Sequence, residues 1–134
     1  MPIRRMRRPR TTTKTKVRTT RRRQPEEQIQ MHLVGLLRKA GVRFFHVPNG
    51  SKATASYRAK LWSLGLEAGV PDLIIVDPTG RHPAAALELK APRGRVSDAQ
   101  KQWHADLLAR GWAVATTYGL DEALAQLRAW GYLE

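Results

Sequence analysis

A chain of 134 residues has room for one domain with a hydrophobic core and for little else. It contains no cysteine, which excludes disulfide scaffolds, thiolate metal sites and cysteine nucleophiles. No apolar run approaches the roughly 18 residues that span a bilayer, and no secretory signal is visible, so we expect a soluble protein of the cytoplasm.

The net charge of +13 is concentrated at the N-terminus. Residues 1–23 hold eleven of the 24 basic side chains and no acidic one. Because residues 1–24 also lack apolar periodicity, we predict that they form a disordered basic arm and that residues 25–134 form the folded domain. Such an arm suits the phosphate backbone of nucleic acids, and its candidate contacts are Arg21, Arg22 and Arg23. A solubilising tail or an organelle presequence has a similar composition.

The first predicted helix runs from Pro25 to Ala40 and is ended by Gly41. Its apolar stripe consists of Ile29, Leu33, Leu36, Leu37 and Ala40. Glu26 lies three residues before Ile29 and seven before Leu33, which places its carboxylate on the same inward side. A core-facing acid requires a polar partner, although an acid in the first turn of a helix is also favourable by itself.

A short strand and a second helix are predicted next. The strand covers residues 42–47, and the sequence Pro48-Asn49-Gly50 that follows is a turn signal. The helix is predicted for residues 53–64, with Tyr57, Leu61 and Leu64 facing inward. This segment also carries candidate contacts to nucleic acid, namely Asn49, Lys52, Arg58 and Lys60. The alternatives are a residue that only shapes the turn and a solvated charged face.

In the middle of the chain two apolar runs of strand length flank a polar turn, which predicts an antiparallel hairpin. If Val76 and Ala84 close this hairpin, Asp72 and Glu88 lie directly opposite each other, roughly 4.5–5.5 Å apart. Side chains alternate along a strand, so Glu88 and Lys90 share one face. Two carboxylates this close repel unless a cation lies between them or one is protonated. The alternative is an Asp at a loop end beside a surface Glu–Lys pair.

The remainder of the chain is predicted to add a helix, a strand and a last helix. A basic loop comes first and supplies two further candidate phosphate contacts, Arg93 and Arg95. Ser97 is predicted to cap a helix that extends to about residue 109, with Gln100 completing a capping box. The apolar side of this helix consists of Trp103, Leu107 and Leu108. With a fourth strand at residues 112–117 and a helix at 121–130, the predicted order is α-β-(α)-β-β-α-β-α, an α/β fold with a small mixed sheet flanked by helices.

Two motifs of the hairpin resemble the signature of the PD-(D/E)xK nuclease superfamily, namely Pro71-Asp72 before one strand and Glu88-Leu89-Lys90 on the next. Within that superfamily the chain resembles the VRR-NUC domain of small phage and bacterial proteins, over roughly residues 25–131. The supporting segments are Glu26 with Gln30, residues 45–50, Gly69 to Leu73, and residues 97–100 with Trp103. The resemblance implies a restriction-endonuclease-like core.

The resemblance also implies a catalytic site that uses Mg²⁺ or Mn²⁺, with one metal ion or two. Hard divalent cations held by carboxylate oxygens stabilise a phosphorane-like transition state, activate water and assist the leaving alkoxide. The implied metal ligands are Asp72, Glu88, the backbone carbonyl of Leu89 and, directly or through a second layer of contacts, Glu26. Lys90 is implied to orient or deprotonate the attacking water, and Gln100 to steady Lys90 or that water.

These residues predict a metal-dependent endodeoxyribonuclease, and the resemblance favours the cutting of branched DNA such as Holliday junctions by a homodimer. Two alternatives stay open: a non-catalytic nucleic-acid-binding protein on a nuclease scaffold, and an RNase with the same site. The four histidines, His32, His46, His82 and His104, show no metal-ligand spacing. No phosphate-binding glycine loop or dinucleotide pattern occurs, so we expect no organic cofactor. The four tryptophans lie at helical or strand spacings and are predicted to be mostly core, and the alternative is an exposed ring that stacks on bases.

Overall fold

A computed structural model of the protein describes residues 25–48 and 53–134. The predicted basic arm with Arg21, Arg22 and Arg23, and the candidate contacts Asn49 and Lys52, lie outside the described residues. The elements are α1 (Pro25–Lys39), β1 (Phe44–His46), α2 (Ala55–Ser63), β2 (Leu73–Ile75), β3 (Ala85–Lys90), α3 (Asp98–Ala109), β4 (Ala113–Tyr118) and α4 (Gly119–Ala129). This order confirms the predicted α/β fold. None of the helices in the two described ranges has the length and apolar character that a membrane crossing requires.

The strands form one mixed sheet in the order β1-β2-β3-β4. β2 runs antiparallel to both of its neighbours, whereas β4 runs parallel to β3 after the crossover through α3. In the hairpin of β2 and β3, Leu73 pairs with Leu87, which confirms the predicted register. Continuing this register by one residue places Asp72 opposite Glu88.

Helices cover both faces of the sheet. α1 and α4 pack on one face, with Leu33 and Leu127 fully buried between the layers. α3 packs on the other face through Leu107, which lies in one cluster with Ile74. Because β3 lies between two other strands and under a helix layer on each face, Glu88 is held inside the protein.

Three predicted apolar sides differ from the structure. None of the nine residues of α2 is buried, and the prediction that Tyr57 and Leu64 face inward is wrong, since they are 52% and 74% exposed. Within the described ranges, no element covers that side of α2. Ala40 is exposed because α1 ends one residue earlier than predicted. Leu108 is exposed because Leu107 takes the inward position and the next residue points about 100° away.

Candidate active site

Asp72 stands immediately before β2 and is fixed through both its backbone and its side chain. Its carbonyl oxygen accepts the N–H of Val47 at 3.1 Å and a hydrogen bond from Nδ1 of His46 at 2.9 Å, so the end of β1 holds the main chain. Its Oδ2 accepts the N–H of Leu89 at 2.8 Å, which draws the carboxylate toward β3. Two neighbouring strands therefore determine where the Asp72 carboxylate lies.

Glu88 is the only charged residue that is buried in the described part of the chain, with 3% of its surface exposed. Gln100 Nε2 donates to Glu88 Oε1 at 2.6 Å, and Lys90 Nζ lies 3.6 Å from the same oxygen. The other carboxylate oxygen, Oε2, is buried and has no hydrogen-bond partner among the residues described. Leaving a buried polar atom unpaired is costly, and such atoms are rare. An unpaired carboxylate oxygen beside a second carboxylate is suited to binding a cation.

The carboxylates of Asp72 and Glu88 strongly affect each other's protonation. Burial and the Asp72 charge raise the pKa of Glu88 to about 8, while Lys90 acts in the opposite direction. Burial also raises the pKa of Asp72, and the Leu89 amide, the nearby His46 and Lys90 oppose that rise. Because two carboxylates cannot both ionise cheaply in one dry site, the pair favours either a proton or a cation. A hard divalent cation neutralises both charges and prefers oxygen ligands.

The raised pKa of Glu88 predicts that the metal-free protein loses stability as the pH rises. The folded state holds the Glu88 proton with a pKa of about 8, above the ordinary value of 4.5. The resulting stabilisation is fully present below pH 4.5 and is lost as the pH rises through about 8. In EDTA, we expect the Tm of the protein to fall relative to that of Glu88→Gln between about pH 5 and pH 8.5. A Tm difference that does not change with pH would contradict this prediction.

The first turn of α3 brings Gln100 to the carboxylates. Ser97 Oγ accepts the N–H of Gln100 at 3.2 Å, and Gln100 Oε1 accepts the N–H of Ser97 at 2.8 Å, which confirms the predicted capping box. The same side chain uses its Nε2 to contact Glu88. Gln100 therefore caps the helix and belongs to the site at once, and its hydrogen bond in the site goes to Glu88.

Two glycines let loops approach the site closely. At Gly69 φ is 85°, and an added Cβ would lie 2.5 Å from the carbonyl carbon of Ala99 and 2.6 Å from the nitrogen of Gln100. A positive φ of this kind favours glycine. At Gly94 an added Cβ would lie 3.1 Å from Cβ of Lys90, so the loop after β3 packs on the stem of that side chain. The two loops thus help to fix Gln100 and Lys90.

Glu26, in the first turn of α1, reaches the same region. Its Oε1 accepts the N–H of Ala91 at 3.1 Å, which gives this inward acid a polar partner and ties α1 to the residue after β3. In the two ranges that the structure describes, no group of three or more His, Cys, Asp or Glu residues is placed to hold one metal ion. A cation here would rely on Asp72 and Glu88, on a backbone oxygen such as that of Leu89, and on water or substrate, which Mg²⁺ commonly retains as ligands.

The predicted site residues share one cavity of about 440 Å³. Its wall includes Glu26, Asp72, Glu88, Leu89, Lys90 and Gln100. The cavity therefore combines carboxylates, an ammonium group and an amide within one concave surface. Such a set can bind a cation and a phosphate group next to each other.

Helix α2 contributes two residues to the same cavity, Arg58 and Trp62. Arg58 was a predicted nucleic-acid contact, whereas Trp62, predicted among the mostly core tryptophans, is 68% exposed. Residues four apart are neighbours on a helix surface, and this spacing is the signal by which Trp62 could have been found. The other candidate contacts within the described residues, Lys60, Arg93 and Arg95, are exposed and do not line this cavity.

Comparisons with known proteins give one matching family and similar solved structures. The profile of the VRR-NUC domain family matches residues 14–121 of the chain. A solved structure described as a VRR_NUC domain protein is similar, with a TM-score of 0.65 and 21% identity over 82% of this chain and 90% of that one. A second, described as a VRR_NUC domain, has a TM-score of 0.53 and 17% identity over 78% of this chain and 95% of that one. No curated protein sequence matches significantly.

Proposed function

Since the chain belongs to the VRR-NUC domain family, a family of nuclease domains whose substrates are nucleic acids, we propose that it is a metal-dependent endonuclease acting on DNA. The proposed reaction is hydrolysis of phosphodiester bonds with Mg²⁺ or Mn²⁺. The proposed site is the cavity that contains Asp72, Glu88 and Lys90.

One observation carries this proposal: the buried Oε2 of Glu88 accepts from no donor group in the described part of the protein, and the group beside Glu88 is a second carboxylate, Asp72, with which it can share only a proton or a cation. A purely structural Glu would be expected to have both oxygens paired. Oxygen donors of this kind fit a hard divalent cation, with Asp72, Glu88 and the carbonyl of Leu89 as its ligands. When bound, such an ion supplies charge stabilisation at the phosphate and lowers the pKa of a bound water.

The surrounding residues have separate roles in the proposed reaction. Gln100 holds Oε1 of Glu88 and would leave the other oxygen free to bind the cation. Lys90, whose ammonium lies 3.6 Å from Glu88 Oε1, would hold the attacking water by a hydrogen bond and offset charge at the phosphate. Arg58, on the wall formed by α2, would bind a phosphate of the substrate strand.

The direct test is nicking of plasmid DNA by the purified full-length chain with Mg²⁺ or Mn²⁺. We expect cleavage that is abolished by EDTA and by Asp72→Ala. If DNA binding survives both changes and no condition gives cleavage, the protein is a non-catalytic nucleic-acid-binding protein on a nuclease scaffold and not an enzyme. Cleavage of RNA with intact DNA would make the protein an RNase with the same chemistry.

The finer part of the proposal is structure-selective cutting of branched DNA such as Holliday junctions. Paired cuts in opposite strands require two sites, and hence a homodimer. Rates on four-way junctions, flaps, single strands and linear duplex of matched sequence test the selectivity, and sedimentation of the protein with and without a junction tests the dimer. Equal rates on all these substrates would contradict the selectivity while leaving the nuclease proposal intact.

Two substitutions of Glu26 distinguish a positioning role of this residue from direct metal binding. Its hydrogen bond to the Ala91 amide can be made by an amide oxygen as well, so Glu26→Gln should keep it. We expect Glu26→Ala to lower kcat by about tenfold, which equals roughly 1.4 kcal/mol, and Glu26→Gln to change it by less than about threefold. The control is Glu27→Ala, which changes an exposed neighbour on α1 and should leave kcat unchanged.

A different pattern of rates would contradict a positioning role for Glu26. If Glu26→Gln is as slow as Glu26→Ala and needs more Mn²⁺ for half-maximal rate, the residue binds the metal directly. The rates should therefore be measured as a function of Mn²⁺ concentration for both variants.

A further inference from the structure

Helix α2 presents a large aromatic side chain to solvent. Trp62 is 68% exposed, and none of the nine residues of α2 is buried. Local hydrogen bonds cap both ends of the helix. Thr54 Oγ1 accepts the N–H of Tyr57 at 3.2 Å, and the N–H of Leu64 donates to the carbonyl of Lys60. An exposed indole leaves a large apolar surface available for a function outside the core.

The position of Trp62 supplies that function. The indole lies on the wall of the cavity that also contains Asp72 and Glu88. One helical turn earlier, Arg58 lines the same cavity from the same side of α2. The site therefore combines the carboxylates of Asp72 and Glu88 with two side chains of the neighbouring helix α2, the guanidinium of Arg58 and the indole of Trp62.

This combination fits a nucleotide better than a plain phosphate. A guanidinium binds a phosphate oxygen, and an aromatic face stacks on a base of any sequence. Within a duplex each base is already stacked between its neighbours and is paired. Only an unpaired base, in a single strand, a flap or an opened junction, offers its face to a side chain from outside.

We infer that Trp62 stacks on an unpaired base next to the phosphate that is cut, with Arg58 on a neighbouring phosphate. The site would thus select strands that are unpaired at the point of cleavage. This inference rests on the proposed nuclease function and deepens it by assigning the substrate class. The competing occupant of the exposed Trp62 side chain is a second copy of the chain.

The test measures binding separately from cleavage. A Glu88→Gln protein is used throughout, because it removes one negative charge from the site and keeps an acceptor for Gln100. Fluorescence anisotropy follows a labelled thymidine strand of about ten nucleotides, a strand of the same length made only of abasic sites, and a blunt duplex. Salt of about 0.2 M weakens binding by the basic N-terminal segment.

We expect Trp62→Ala in this background to weaken binding of the thymidine strand about 5- to 150-fold, the range for loss of one base–aromatic stack. Binding of the abasic strand and of the duplex should stay within about twofold, and Trp62→Phe should restore most of the loss on the thymidine strand. Leu64→Ala is the matched control, since Leu64 is 74% exposed on the same segment and does not line the cavity.

Three results would overturn the inference: no loss on the thymidine strand, an equal loss on the abasic strand, or a change of sedimentation that shows Trp62→Ala dissociating a dimer. If the proposed nuclease function is wrong, the plasmid-nicking assay shows it, because the unmodified chain then gives no cleavage. The binding result and the cleavage result can therefore fail independently.

Discussion

Replacing Glu88 by glutamine is expected to abolish metal-dependent cleavage while raising the Tm of the metal-free protein at pH 8. The substitution keeps an oxygen that accepts from Gln100 Nε2, so the packing is retained. It removes a buried charge that lies beside Asp72. A metal ion contributes several kcal/mol of charge stabilisation, so its loss should lower kcat at least about a thousandfold. Stability and activity should therefore change in opposite directions.

The measurements are single-turnover cleavage with Mn²⁺ and thermal unfolding in EDTA. Glu67→Gln is the matched control, because Glu67 lines the same cavity but is exposed, and we expect it to keep both the rate and the Tm. If Glu88→Gln cleaves at the normal rate, the proposed metal site is wrong. If it is inactive but much less stable than the original chain, the loss of activity is explained by misfolding and the electrostatic argument fails.

Replacing Gly69 by alanine is expected to destabilise the protein by about 2–5 kcal/mol, the sum of a strained φ and an overpacked contact. The added Cβ would lie within 2.7 Å of three backbone atoms in the first turn of α3, and backbone atoms cannot rotate away. The loop or the helix must move, and Gln100 moves with it. We therefore also expect kcat to fall about 10- to 100-fold at a temperature where the variant is still folded.

Gly111→Ala isolates the conformational part of this effect. Gly111 has φ of 86°, almost the same as Gly69, but an added Cβ there meets nothing within 4 Å. We expect Gly111→Ala to lower the free energy of unfolding by only about 1–2 kcal/mol and to leave kcat unchanged. Urea unfolding and cleavage rates of both variants provide the comparison. Equal losses of stability at the two positions would show that the contact of Gly69 with α3 is unimportant.

The hairpin shows how much the sequence alone can predict. Its register follows from the length of two apolar runs and the turn between them, and the alternation of side chains then places Glu88 opposite Asp72. These rules involve only neighbouring strands, so they need no knowledge of the remaining chain. For the same reason the capping box of Ser97 and Gln100 was predictable, since its partners are three residues apart.

Contacts between distant segments were not predictable in this way. The spacing of Tyr57, Leu61 and Leu64 predicts an apolar side for α2, but periodicity cannot say whether another element covers that side. The second hydrogen bond of Gln100, to Glu88, depends on how α3 packs on the sheet. The close approach of Gly69 to α3 depends on the path of a loop. Such features arise from tertiary packing, and a single sequence carries no local signal for them.

The double use of Gln100 limits what can replace it. Leu would keep the bond of its own N–H to Ser97 Oγ but lose the side-chain bonds to the Ser97 amide and to Glu88, while Asn is one methylene too short to make the two contacts from the same backbone position. Glu would preserve the cap but bring a third negative charge against two carboxylates that already repel. One side chain thereby joins the first turn of α3 to the acidic centre, so a change that frays this turn also removes a contact from Glu88.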